Sequence, residues 1–333
     1  MKYVDKIYLT QDKLLEKLKS DNLIIDNDSY AIRYFNEVGY YKLINGYKHC
    51  FKMYVDGVEQ SEYLPNTTFE HIINLYTFDF KLRNLIFSNI CIIENMLKAQ
   101  ISEVFSQRYG TKDAIYFVDT NFKPDSDFFI NALGKVDEKY SFQKIKGAIY
   151  DKINKNSIHK NKSILNYANK GYYPLWVLLN IMSFGETCVF YKKLFNELQI
   201  EVGKYFNLSL STMHSYLSHL VLFRNACAHN EVIFDFKTTN RIKINQSEKR
   251  IVDAYNYLNI KKNKFGSYTN GTNNLLSIFI VFKLLLPKTA FSNFKKNFFR
   301  YLDKLSNEIT EEAFIEIKKC MGINTKERLL KKL

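Results

Sequence analysis

Apolar residues recur at helical spacing along most of the chain, and one stretch carries the pattern farthest. Phe69, Ile72, Ile73, Tyr76, Phe80, Ile86, Ile90, Ile93, Leu97, Ile101 and Phe105 keep helical intervals as far as Gly110. Thr67-x-x-Glu70, just after Pro65, has the form of a capping box. The pattern predicts one long helix from Thr67 or Thr68, with room for a single kink or break. Upstream, Leu14, Leu15 and Leu18 mark a short helix, and Tyr30 to Val38 a second that stops at Gly39. Downstream, a helix follows Pro174 with Leu175, Trp176, Leu178, Leu179 and Ile181, ahead of Ser183-Phe184-Gly185-Glu186. Another runs from about Ser211 to His229. The most apolar stretch, Leu275 to Leu286, is broken by Ser277 and Lys283 and ended by Pro287. At about a dozen residues it is too short to cross a bilayer and reads as a buried helix.

Composition agrees with the pattern. Four prolines and twelve glycines are few for 333 residues, which argues against a turn-rich sandwich or barrel. A 46% hydrophobic content supplies a core and excludes global disorder. The expected fold class is all-α. Residues 111–170 change character: Pro124 and several Asp, Asn and Ser residues mark loops. From Lys135 to Lys170 nine lysines face only Asp137, Glu138 and Asp151, with Tyr140, Phe142, Tyr150 and Tyr167 interleaved. The stretch Lys237 to Asn274 is again basic and loop-like. These shifts divide the chain into an N-terminal helical segment (1–66), a core (67–236) holding a basic insertion (about 111–170), and a basic linker with C-terminal helices (237–333).

Charge narrows the partner. Forty-eight basic against 34 acidic residues give a net +14, which fits a polyanion. Lys144, Lys146, Lys152, Lys155, Lys160, Lys162 and Tyr150 are the candidate RNA-binding residues, lysines for phosphate and the ring for an unpaired base. The competing reading is a solvated, lysine-rich insertion. Five scattered cysteines (Cys50, Cys91, Cys188, Cys227, Cys320) include no C-x-x-C. That spacing fits reduced thiols in a cytoplasmic protein, not a disulfide scaffold or zinc site. No signal-peptide pattern opens the sequence. No Gly-rich phosphate loop and no H-x-x-x-H pattern appears, so neither a metal nor a cofactor is expected.

Candidate chemistry concentrates in Arg224-Asn225-Ala226-Cys227-Ala228-His229. On a helical projection Met213, Tyr216, Leu217, Leu220, Val221, Phe223, Cys227 and Ala228 share one side, and Arg224 falls near the middle of that stripe. His214, Ser218, Asn225 and His229 flank it, and Asn225 and His229 are an i, i+4 pair. A cation in an apolar stripe calls for an acidic partner or a ligand phosphate. The competing reading is a structural salt bridge or a snorkelling arginine. Glu94 borders the stripe of the long helix, with Arg83, Lys98 and Arg224 as its candidate partners. It is taken as a supporting residue that orients Arg224. Histidine carries protons near neutral pH and arginine is a fixed cation for phosphate.

Four motifs in order carry a resemblance. They are Gly39-Tyr40-Tyr41-Lys42-Leu43 with Gly46-Tyr47; Arg83 through Glu94; Pro174-Leu175-Trp176 leading to Ser183-Phe184-Gly185; and Arg224-Asn225-x-Cys227-Ala228-His229-Asn230-Glu231. Over about residues 10–240 the chain resembles the Abi-like (AbiD/AbiF-type) proteins of phage abortive infection, which carry a HEPN domain. One departure is Val232-Ile233, where the family pattern has a basic-then-apolar pair. The resemblance implies a HEPN-like helical bundle, a homodimer with a composite cleft, and a toxin-type endoribonuclease under the control of a small non-coding RNA. Cleavage would be metal-independent and leave 2′,3′-cyclic phosphate ends. His229 would act as base or acid, Arg224 would hold the phosphate, and Asn225 would orient His229 or bind a phosphate oxygen. The alternative is a catalytically inactive RNA-binding module of the same fold. A protein-interaction scaffold would leave both charge and motif unexplained.

Overall fold

The computed structural model describes residues 8–111, 119–123, 142–158, 161–168, 170, 172–324 and 326–333. Fifteen α-helices and one hairpin make up its regular structure. The N-terminal segment holds α1 (Gln11–Ser20), α2 (Asp28–Val38) and α3 (Tyr40–Tyr47), then a 3₁₀ turn at Lys48–Phe51. Strands β1 (Lys52–Val55) and β2 (Val58–Tyr63) pair antiparallel. The hairpin is a departure from the purely helical expectation, and Asp56-Gly57 is its cause. Both residues take positive φ, 51° and 79°, as a two-residue turn between twisted strands requires.

The long helix α4 (Phe69–Tyr109) is one unbroken element of 41 residues. Its cap differs from the expected one. Thr68 accepts from the His71 amide, and the His71 ring accepts in turn from the Thr68 amide. Thr67 is unavailable as a cap because it is fully buried and its carbonyl accepts from Ile24. Gly110, at φ 89°, ends the helix. Around α4 pack α3, α7 (Leu175–Ile181), α8 (Phe184–Lys193), α9 (Asn196–Phe206), α10 (Leu210–Ala228) and α13 (Lys288–Ser306). A helix so surrounded buries residues on nearly every side, including Asp79, Arg83 and Lys98, and each buried charge must find a partner. Helices α5 (Phe142–Ile158) and α6 (Lys162–Ala168) are the described α-helices of the basic insertion.

The C-terminal part adds α11 (Lys249–Tyr257), α12 (Leu275–Leu285), α14 (Glu311–Cys320) and α15 (Glu327–Lys332). Helix α11 lies inside the stretch read as loop. Ile251, Ala254 and Tyr255 are buried along one of its faces. Every residue of α12 except Lys283 is buried, as its sequence requires. Among the described residues, no helix is long and apolar enough to cross a membrane.

One buried histidine ties α10 to α12. His219 bonds the Ser277 hydroxyl at 2.7 Å and the Thr238 hydroxyl at 3.3 Å. Burial holds its pKa down at about 3, so it stays neutral in the folded chain. His214 is likewise lowered, to about 4, by burial and then by Lys192 and Lys123. The unfolded chain takes up these protons below the ordinary histidine pKa of about 6.5, while the folded chain does not. Stability therefore falls as pH drops from about 6.5 towards these lower values. His219 alone accounts for up to about 2 kcal/mol of loss between about pH 7 and about pH 5. Urea midpoints across that range check it: His219→Gln flattens the slope, and an unchanged slope contradicts the assignment.

Candidate active-site cleft

The end of α10 is set by its own backbone. His229 closes the helix, and Asn230 turns into the left-handed region at φ 57°. The Glu231 amide donates to the Ala226 carbonyl and the Asn230 amide to the Cys227 carbonyl, a paired closure that satisfies the last carbonyls. Asparagine tolerates that φ better than most residues. The turn leaves the His229 ring exposed.

His229 lines a cleft of about 710 Å³. One wall is α3 and the turn after it, with Tyr41, Lys42, Asn45, Gly46 and His49. The other is the segment leaving α10, with His229 to Val232 and Asp235 to Lys237. Gly46 allows the close approach, since a Cβ there would sit 3.0 Å from the Val232 Cγ2. Tyr41 is 73% exposed, so its ring is open to solvent beside Lys42. Burial, and then the nearby Arg83 cation, push the Lys42 pKa below the ordinary lysine range. Lys237 pairs with Asp235 at 3.0 Å.

Beneath the cleft lies a fully buried carboxylate. Asp79 Oδ1 accepts from the main-chain amides of Ile233 (2.8 Å) and Phe234 (2.7 Å). Its Oδ2 accepts from the Tyr47 hydroxyl (3.0 Å) and from Arg83 Nη2 (3.3 Å). Burial raises the Asp79 pKa, opposed first by the Arg83 cation and then by the two amides and Tyr47. Asp79 thus joins Tyr47 of the first sequence motif and Arg83 of the second to the chain just past the fourth. The Val232-Ile233 departure falls on this clamp, where Ile233 contributes its backbone.

Arg224 is half-buried on α10, its guanidinium 5.5 Å from the Phe87 ring centre. Its Nε is buried without a hydrogen-bond partner, and among the described residues it has no ion pair. Among the described residues Glu94 makes no ion pair with it. Glu94 pairs with Lys98 one turn along α4, at 2.7 Å, and Lys98 also donates to the Met182 carbonyl. A lysine that is 8% exposed needs the nearer carboxylate, and the i, i+4 geometry delivers it. Glu94 and Arg224 do share a neighbourhood, since the charges of both act on the Cys91 thiol. Asn225 is exposed, and its carbonyl accepts the His229 amide at 2.9 Å.

The sequence model of a family described as Abi-like protein matches residues 33–235, more than half of the chain. The chain belongs to the Abi-like family. No curated protein and no solved structure matches it. The Abi-like region begins in α2 and ends at Asp235, so it takes in the α3 wall of the cleft, the far wall as far as Asp235, and the whole Asp79 clamp. The family associates the chain with abortive infection, a defence against phage.

The basic insertion stands apart from the Abi-like cleft. Lys144, Lys146, Tyr150, Lys152 and Lys155 lie on α5, and Lys162 begins α6. Lys160 lies outside the described residues. None of the others lines the His229 cleft. Lys144 and Lys152 instead line a second cavity of about 750 Å³, together with Glu186, Lys192 and Ser218. Lys152 acts there as a strut, pairing with Glu186 at 3.0 Å and donating to the Ile181 carbonyl. Lys155 and Lys162 are exposed.

Proposed function

We propose that this Abi-like protein is a metal-independent endoribonuclease of the HEPN type, acting in phage abortive infection. The observation that carries the reading is the state of Arg224. A cation on an apolar stripe requires a carboxylate or a ligand anion, and among the described residues no carboxylate pairs with it. A phosphate diester is the anion that also gives the exposed His229 its task. His229 takes the proton from a ribose 2′-OH, whose oxygen attacks the adjacent phosphorus. The 5′-oxygen leaves, taking a proton from water, and a 2′,3′-cyclic phosphate remains. Arg224 binds the non-bridging oxygens and stabilises their added charge. Asn225, exposed and on the same turn, donates to a phosphate oxygen. Tyr41 offers a stacking face for an unpaired base, and Lys42 and Lys237 a positive rim. Lys155 and Lys162 extend the RNA surface.

Spacing favours a composite site. Five residues along a helix place Arg224 and His229 about 140° apart and about 7.5 Å apart along the axis. Two copies meeting at this helix end would bring the arginine of one opposite the histidine of the other.

The test is incubation of purified protein with RNA in EDTA. Cleavage to cyclic-phosphate ends is expected to persist. Loss in chelator that Mg²⁺ or Mn²⁺ restores would overturn the mechanism. Salt-sensitive RNA binding without any cleavage would leave an RNA-binding module in its place.

A further inference from the structure

Local cysteine spacing excludes a zinc motif, but the fold brings distant residues together. His49 and Cys50 sit on the 3₁₀ turn that follows α3, and Cys320 ends α14. The ligand atoms of these three side chains all lie within 4.8 Å of one another. His49 Nε2 is 4.0 Å from the Cys320 Sγ and 3.6 Å from Asp235 Oδ2. The His49 ring is held flat against Phe234, with centroids 5.7 Å apart and planes 4° apart. Its Nε2 is thereby fixed towards the sulfurs and the carboxylate.

Two thiolates, an imidazole and a carboxylate are a donor set suited to a borderline-soft, four-coordinate ion. With Zn–S near 2.3 Å and Zn–N near 2.0 Å, tetrahedral ligand atoms lie roughly 3.5 Å apart. The three side chains reach these separations by closing in by about 1 Å, and the Asp235 carboxylate, next to His49 Nε2, must swing towards the sulfurs to complete the set. Cys50 is buried, while His49 and Cys320 are partly exposed, so an ion has a shielded place and a path to it.

We propose that His49, Cys50 and Cys320, completed by Asp235, form a Zn²⁺ site that staples α14 to the wall of the His229 cleft. His49 and Asp235 belong to both features. The ion fixes the end of the C-terminal helices against the turn that follows α3. It holds structure and takes no part in RNA cleavage.

The experiment uses the full chain, purified under reducing conditions, stripped of metal and titrated with Co²⁺ as a spectroscopic probe. One equivalent is expected to bind, with a near-ultraviolet sulfur-to-cobalt charge-transfer band and visible bands of tetrahedral intensity. Zn²⁺ is expected to displace it. Cys50→Ser and Cys320→Ser are each expected to lose charge-transfer intensity. Each is also expected to weaken Zn²⁺ binding by more than about 100-fold, beyond what loss of an outer hydrogen-bond partner costs. Cys188→Ser, at a cysteine outside the cluster, is expected to bind as the parent does. A readout that needs no variant is alkylation of the parent, in which Zn²⁺ is expected to protect Cys320. Absence of a thiolate band overturns the proposal, as does a band that survives the Cys50→Ser, Cys320→Ser double variant. A Cys50–Cys320 disulfide in place of metal binding also overturns it. Mg²⁺ and Mn²⁺ do not replace an ion held by thiolates, so this outcome is separable from that of the cleavage test.

Discussion

His229→Ala is expected to lower RNA cleavage by roughly 10²–10⁴-fold, the usual worth of a positioned acid–base group. The fold is expected to survive. His229 caps α10 through its backbone amide, which alanine keeps, and its ring is exposed. Exposed substitutions of this kind usually stay within about 0.5 kcal/mol of the parent. Cleavage of a labelled RNA and thermal unfolding, measured on the same samples, check both halves. A variant that cleaves at the parent rate removes His229 from the mechanism. A variant that unfolds early shows that its role is structural. Arg224→Lys sharpens the result, because lysine keeps the charge and loses the two-pronged hydrogen bonding of guanidinium. If the site is composite, mixing His229→Ala with Arg224→Ala dimers restores part of the activity, since one of the two sites in a mixed dimer is intact.

Much of this was legible in the sequence where the determinant is local. The course of α4 follows from apolar spacing, and its end from Gly110. The turn at Gly39, the helix after Pro174 and the buried helix before Pro287 are signals of the same kind. The hairpin was missed: Asp56-Gly57 suits its turn, but its strands are mostly exposed and carry no apolar face to announce them. The cap of α4 needed more than local sequence. Thr67 and Thr68 both suit it, and the contact with Ile24, over forty residues away, decides between them. The site divides in the same way. Arg224 stood out because it interrupts a stripe, and among the described residues no carboxylate pairs with it. Glu94 was ambiguous between partners at four residues and across an interface, and the nearer one took it. Asp79 looks in sequence like any helix carboxylate. Its importance comes from amides 154 and 155 residues downstream. The cluster at His49, Cys50 and Cys320 is hidden for the same reason, with its members 271 residues apart at the extremes.

Asp79→Ala is expected to be the most destabilising single change near the cleft, at about 3–5 kcal/mol. The carboxylate accepts four hydrogen bonds, and alanine replaces none of them. Two main-chain amides and the Tyr47 hydroxyl lose their acceptor in a dry site, and each orphan carries its own cost. Arg83 fares worse. It is 3% exposed, and its Nε and Nη1 already lack partners. With Asp79 gone, a buried cation has nothing to balance it. Asp79→Asn separates the two contributions. Its carbonyl oxygen still accepts the Ile233 and Phe234 amides, but its charge no longer faces Arg83, so an intermediate loss is expected. Adding Arg83→Met to Asp79→Asn removes the stranded cation and is expected to recover part of that loss, because a buried pair is costlier to break than to replace. Urea unfolding of the three variants reads these differences directly. The clamp also holds the segment that carries the far wall of the cleft, so Asp79→Asn is expected to cleave more slowly than its stability alone would predict. If Asp79→Ala unfolds within about 1 kcal/mol of the parent, the buried carboxylate does not hold this wall. The convergence of Tyr47, Arg83 and the segment past α10 on it would then need another cause.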